Sequence, residues 1–223
     1  GNALTRPLMQ AAAGVHKEAA LPKFNGRSFV ARAKAAPPEV NVTAPAHGRK
    51  AVIYATCYGN YNNPEIGVAT QAVLARNGVE TEVVYPGCCG MPQLEQGDVA
   101  RVADNAKAAA RALKPYIDQG FDVVALVPSC TLMLKSEWPL LVPGDEDVSR
   151  LARATFDISD YIVGIAKKEG MAPGLKPLEG GVTVHLACHA RAQNVGPKGA
   201  ELMQLLPSTE VAMVERCSGH AGT

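Results

Sequence analysis

The sequence predicts an α/β protein made of two pseudo-repeated Rossmann-like units with parallel sheets, preceded by a helical N-terminal arm. Three observations predict it. Short apolar runs at 51–56, 80–86 and 121–128 alternate with longer helical stretches; each run leads into a cysteine; and the order strand, Cys, turn, helix, strand, Cys seen over 52–90 recurs over 182–219. Strands that alternate with amphipathic helices read as right-handed crossovers of a parallel sheet. The carboxyl edge of such a sheet gathers the strand-to-helix loops, and ligands bind there.

Taken in order, residues 8–20 and 28–36 have helical patterning, with Leu8, Ala12 and Val15 spaced for one face. The stretch "APPEVNVTAPAHGRK" then crowds prolines between 36 and 46 and reads as a linker. The strand "AVIYAT" runs into Cys57, a helix spans 64–77, and "ETEVVYP" leads to Cys88 and Cys89. A long alanine-rich helix follows over 98–119, with Asp98 as N-cap. "FDVVALVP" leads to Cys130, and one helix is expected over 148–168. The divisions are therefore 1–48, a helical arm and Pro-rich linker; 49–170, the first repeat; and 171–223, the second.

Cys57 and Cys88 stand 31 residues apart, Cys188 and Cys217 29 apart, which carries the repeat. In the first copy a further station, Cys130, lies 41 residues beyond Cys89; its counterpart would fall past Thr223. The chain also opens on Gly1 rather than methionine, so a longer polypeptide is expected.

Composition bounds the function. The 223 residues are 47% hydrophobic and 19% charged with a net charge of +1, which excludes a disordered chain and a strongly basic nucleic-acid binder. No apolar run approaches the roughly 20 residues of a spanning helix, and the amino end has no signal-peptide layout. The expected location is the cytoplasm. Six cysteines are too sparse for a disulfide scaffold, and in a reducing compartment they point to metal binding or catalysis.

Thiolates select zinc, copper(I) or iron–sulfur clusters. Structural zinc sites use Cys-x(2–4)-Cys knuckles; none exists here, and the adjacent pair Cys88 and Cys89 suits a larger object with several metal atoms. Gly90 would let the backbone approach that object and aim amides at sulfur. Zinc remains the alternative, with His189 and His220 beside the second cysteines as further donors. A thiol enzyme would need a base oriented by a third group, which neither His185 nor His189 shows. A dinucleotide site would need G-x-G-x-x-G after a strand, and that motif is absent from the sequence.

"GCCGMP" and "RCSGHAG", each preceded by a strand-terminal Cys, resemble the cysteine-rich CCG domain. It occurs twice in heterodisulfide reductase B-type subunits, and also in iron–sulfur subunits of anaerobic glycerol-3-phosphate dehydrogenase, glycolate oxidase and lactate-utilisation systems. The likeness covers 51–223, and the N-terminal stretch is similar to the linker that follows a ferredoxin-like module in such proteins. The resemblance implies a [4Fe–4S] cluster on Cys57, Cys88, Cys89 and Cys130 in the first repeat. Met133 stands where the family carries a further Cys, which leaves four thiolates. In the second repeat Cys188 and Cys217 match, while Ser218 replaces the second vicinal cysteine, so this half is expected to be incompletely assembled.

It further implies an electron-transfer subunit rather than the catalyst of carbon chemistry. Its partner would be a flavoprotein dehydrogenase subunit, its acceptor a quinone or another carrier, and peripheral contact with the cytoplasmic membrane would come through a partner. Alternatives are a heterodisulfide reductase-type catalytic subunit and a structural zinc domain. Around the stations, "CYGNYNNP" reads as a conformational Asn-rich turn, Lys135 and Glu137 as exposed charges, and Trp138 as core packing.

Overall fold

The computed structural model describes residues 5–217. Helices α1 (Thr5–Ala13) and α2 (Phe29–Ala35) precede the first sheet. α1 buries none of its residues and is shorter than its pattern suggested, as expected of a helix with no packed face to sustain it. α2 starts on Ser28, whose hydroxyl accepts the Ala31 N–H, and it buries Phe29 against the sheet layer. The proline-rich stretch is not a loose linker. Ala44 and Ala46 are buried in it, and the Asn41 N–H donates to Ala75 O at 2.9 Å.

The first sheet contains β1 (Lys50–Tyr54), β2 (Glu80–Val84), β3 (Asp122–Ala125) and β4 (Thr155–Asp157), all parallel in the order β2-β1-β3-β4. Ile53 pairs with Val83 on one side and Val124 on the other, which puts β1 in the centre. Both of its faces are covered, so it reads as a continuous apolar run, whereas the edge strand β2 keeps Glu80 and Glu82 exposed.

Between these strands lie α3 (Pro64–Arg76), α4 (Met91–Glu95), α5 (Val99–Asp118), α6 (Pro128–Leu132), α7 (Trp138–Leu141) and α8 (Glu146–Ala154). One face of the sheet, with Val52, Tyr54 and Val123, packs on Leu113, Trp138 and Leu151. Small residues Ala106, Ala109 and Ala110 let α5 sit close to it. The other face, with Ala51, Ile53 and Val124, packs on Phe29, Leu74 and Ile165.

The single helix expected over 148–168 is two. α8 ends at Ala154, Thr155–Asp157 extends to pair with β3 (Val123 with Thr155), and α9 (Ile158–Lys168) begins on Asp157. Edge pairing in the sheet overrides a periodicity that runs on through the junction. Beyond α9, β5 (Val182–His185), α10 (Cys188–Ala192), α11 (Lys198–Met203) and β6 (Val211–Val214) form a second, two-stranded parallel sheet. It leans on the first: Lys167 pairs with Glu201, and the Gln193 side-chain amide donates to Pro128 O at 3.3 Å. No described helix is long and apolar enough to cross a membrane.

Candidate metal centre

Three adjacent strands of one parallel sheet deliver cysteines at their carboxyl ends. The chain leaves β1 through Thr56, which is fully buried and held at φ 46°, a strained conformation for a β-branched residue. Its hydroxyl accepts the Gly59 N–H at 3.0 Å, and Cys57 follows at the start of a π-helical turn, Tyr58–Asn62. The asparagines here serve conformation, as their composition suggested: Asn60 accepts the Val30 N–H at 3.0 Å, and Asn62 donates to Lys23 O at 3.0 Å. After β2 the chain turns at Gly87 and presents Cys88 and Cys89. After β3, Pro128 opens α6 and places Cys130 in its first turn.

These loops meet at a cavity of about 910 Å³ that all six cysteines line, with Glu95 and His189 on its wall. Cys89 and Cys130 are buried, Cys57 and Cys88 half-buried, and Cys188 and Cys217 exposed on the side formed by the second sheet. The second pair, expected to define a separate half-site, therefore faces the first four across one cavity. His185 instead binds Arg216 O through Nε2 at 2.9 Å. Ser218 and His220 lie outside the described residues.

The four thiols of the first unit form a connected string in which neighbours shift one another's ionisation: Cys57 with Cys88, Cys88 with Cys89, and Cys89 with Cys130. Backbone amides join them. The Gly90 N–H donates to Cys88 Sγ at 3.5 Å, and the Tyr58 and Met91 N–H groups serve Cys57 and Cys89. Hydrogen bonds from the Cys57 and Cys89 thiols, and then from Gly90, hold Cys88 far below the usual thiol range. The Cys57 thiol is pushed up by its bond to Cys88 and by burial, and Cys89 by its bonds to Cys130 and Cys88 and by burial. Crowded thiols resist ionising together, since a second anion nearby would repel the first. A cationic guest would reverse this and expel the remaining protons.

Among the described residues, no group of three or more His, Cys, Asp or Glu side chains is arranged to hold a single metal ion. The sulfurs are strung along three loops instead of surrounding one point. An all-thiol donor set of that shape, with amides aimed at sulfur, fits a polynuclear iron–sulfur group better than a lone zinc.

Gly90 sits at φ 85°, where a side chain is strained, and a Cβ there would come within 3.2 Å of Val102. The turn thus needs this glycine for its shape. Trp138 is fully buried in the core, as expected, but it also donates from Nε1 to Cys89 O at 3.0 Å. Tyr54 donates from its hydroxyl to Gly87 O at 2.6 Å. These two contacts escaped the sequence reading because nothing in the spacing of a Tyr on β1 or a Trp on α7 announces a carbonyl partner. Lys135 and Glu137 are half-buried rather than exposed, Lys135 lying over the Phe156 ring at 5.8 Å.

A parallel α/β sheet with vicinal cysteines at its carboxyl edge defines a class, the cysteine-rich CCG-type domain, and the profile of the CCG cysteine-rich domain matches residues 51–135. Lactate utilization protein A of Geobacillus kaustophilus strain HTA426 is 30% identical over 186 residues, 78% of this chain and 73% of that protein. The same protein of Bacillus licheniformis is 30% identical over 185 residues, 78% of this chain and 74% of its own. The C-type subunit of anaerobic glycerol-3-phosphate dehydrogenase from Escherichia coli strain K12 is 24% identical over 221 residues, 98% of this chain. The chain spans about half the length of that relative, 54%. No solved structure matches significantly. The chain belongs to the family of CCG cysteine-rich-domain proteins that includes lactate utilization protein A.

Proposed function

We propose that this chain is the cluster-carrying part of an oxidoreductase assembly, with one [4Fe–4S] cluster held by Cys57, Cys88, Cys89 and Cys130. The observation that carries the reading is the connected string of four thiols at the carboxyl ends of β2, β1 and β3. When bound, such a cluster takes up and returns one electron at a time. The chain's own residues do the rest. The four cysteines would hold it, amides of Tyr58, Gly90 and Met91 would face its sulfur ligands, and the apolar layer of Tyr54, Val102 and Trp138 would keep water from its inner side. The β5–β6 unit is read as a second copy of the first, supported by its parallel pairing and by Cys188 and Cys217 at its strand ends.

In this reading the electron donor is a flavin-bearing dehydrogenase subunit and the acceptor a quinone or another carrier. The name of the E. coli relative, a dehydrogenase subunit, supports a partner of that kind. The place of work is the cytoplasm, at the inner face of the membrane through the partner. Anaerobic reconstitution of the chain, followed by iron and acid-labile sulfide analysis and electron paramagnetic resonance, tests it. Four irons and four sulfides per chain, with a reduced-state signal lost or altered in Cys89→Ser, are expected; one zinc per chain without sulfide would establish the structural-metal alternative.

The open cavity favours a second reading, reduction of a bound disulfide to two thiols by two protons and two electrons, the electrons supplied one after the other by the flavin-bearing donor subunit. Its exposed wall of Cys188 and Cys217 leaves room for a substrate beside the buried thiols. Disulfide-dependent oxidation of the reduced, reconstituted chain would support it, and a rate no faster than that of a Cys188→Ser variant would not.

A further inference from the structure

Two buried rings hold the vicinal-cysteine turn from its core side. The Trp138 indole N–H donates to Cys89 O at 3.0 Å, and the Tyr54 hydroxyl donates to Gly87 O at 2.6 Å. Both rings are fully buried, and they belong to the same packed layer as Cys89 and Cys130. The two carbonyls lie on either side of Cys88, so the peptide plane that enters the vicinal pair (Gly87–Cys88) and the one that leaves it (Cys89–Gly90) are each pinned at one end.

The chain contains no cis peptide bond among its described residues. In a planar trans peptide the N–H points opposite to the C=O. Fixing Cys89 O on the indole therefore turns the Gly90 N–H away from Trp138, and that N–H is the one that donates to Cys88 Sγ at 3.5 Å. The left-handed Gly90, at φ 85°, then lets the chain enter α4 without undoing this orientation. Tyr54 fixes the preceding plane in the same manner, so the Cys88 N–H is turned away from the Tyr54 hydroxyl. Neither ring carries charge, and both donate to carbonyls rather than to thiols. Their polar atoms are spent on backbone orientation.

We infer that Trp138 and Tyr54 are positioning residues that raise the reduction potential of the cysteine-held group, by locking the peptide planes on either side of the Cys88–Cys89 pair so that the Gly90 amide faces sulfur. This rests on the iron–sulfur reading above. An N–H directed at a thiolate ligand withdraws electron density and stabilises the more negative, reduced state. The locks act by preorganisation: with them gone the amide is free to turn toward water at no cost to ligation.

Trp138 is the single tryptophan of the chain, so biosynthetic replacement of tryptophan by 3-benzothienylalanine removes one N–H and keeps the ring. Tyr54→Phe removes one hydroxyl, and Tyr161→Phe, which loses a hydrogen bond to Asp122 away from the cysteines, serves as control. Each variant chain is reconstituted anaerobically, and three quantities are read: iron and sulfide content, midpoint potential by redox titration, and hyperfine coupling of exchangeable deuterons to the reduced centre.

Unchanged iron content is expected throughout. The first two replacements should lower the reduced-to-oxidised ratio about tenfold at fixed potential, a fall of about 59 mV for one electron, with weaker deuteron coupling; the control should do neither. A loaded centre whose potential and coupling stay at wild-type values in both replacements would overturn the positioning role and leave the cluster reading standing. A wild-type chain that binds no iron and sulfide would sink both. If the tryptophan analogue does not fold, Tyr54→Phe alone decides.

Discussion

The Thr131 hydroxyl lies 3.4 Å from Asp157 Oδ2, which ties the residue after Cys130 to the strand that the sequence had hidden inside a helix. Asp157 is buried, and its other oxygen caps α9 by accepting the Ser159 N–H at 2.9 Å. Burial is the largest influence on the carboxyl and raises its pKa; hydrogen bonds from Ser159, Gln193 and Thr131 offset only part of it. The Thr131 hydroxyl also reaches Val127 O at 3.2 Å, so its one hydrogen is contested.

The sign follows. A carboxyl whose folded pKa exceeds its unfolded value, about 3.9, contributes stability that is fully present below that value and lost as pH rises through the folded pKa. Asp157→Asn keeps the cap, since Asn and Asp cap almost equally well, and removes the buried charge. The variant should melt higher than wild type at pH 7, by roughly 2–4 °C for about 1 kcal/mol in a chain of this size. The advantage should vanish near pH 4. Calorimetry at the two pH values checks it; a variant that is less stable at pH 7 and equal at pH 4 would show that the ionised carboxylate is net favourable.

What the sequence could show about this site was set by local signals. β1, β2 and β3 were legible because each is a compact apolar run next to a turn, and Cys57, Cys88, Cys89 and Cys130 came with them. β4 was not, because Thr155, Phe156 and Asp157 sit between two amphipathic helices and become a strand only by pairing with Val123–Ala125. The facing of Cys188 and Cys217 onto the first four thiols was equally hidden, since it depends on how α10 and α11 dock on α6 and α9. The Tyr54 and Trp138 contacts are of the same kind: carbonyl partners chosen by tertiary packing.

Gly90→Ala tests the shape of the vicinal turn. An alanine at φ 85° pays a left-handed strain of about 1–2 kcal/mol, and its Cβ would press on Val102 at 3.2 Å. The expected result is a fall in melting temperature of roughly 2–8 °C with less iron retained after reconstitution. Adding Val102→Ala relieves the contact but not the backbone strain, so it should restore only part of the loss. Full recovery would mean that the conformation at Gly90 is unimportant.

Cysteine replacements separate the two walls of the cavity. Cys57→Ser, Cys88→Ser, Cys89→Ser and Cys130→Ser should each lose most of the iron bound on anaerobic reconstitution, because each removes one of four linked donors. Cys188→Ser and Cys217→Ser should leave it close to wild type. Iron and sulfide determination per chain reads the result, and equal losses from all six would show one shared group drawing on both sheets.

The docking of α2 turns on a single close approach. Phe29 is completely buried, and its ring edge lies 2.4 Å from where a Cβ on Gly67 of α3 would stand. Gly67→Ala must therefore move the ring, an overpacking cost of typically 1–3 kcal/mol, while its helical backbone itself favours alanine. The urea midpoint should fall, and limited proteolysis should cut within residues 14–27 faster than in wild type. Phe29→Leu on the Gly67→Ala background offers a smaller side chain to the same gap and should recover part of the midpoint. A Gly67→Ala chain as stable as wild type would mean that α2 shifts on α3 at negligible cost, so that the arm is held by the hydrogen bonds of Lys23, Asn25 and Val30 to Asn60 and Asn62 of the Cys57 loop rather than by this contact.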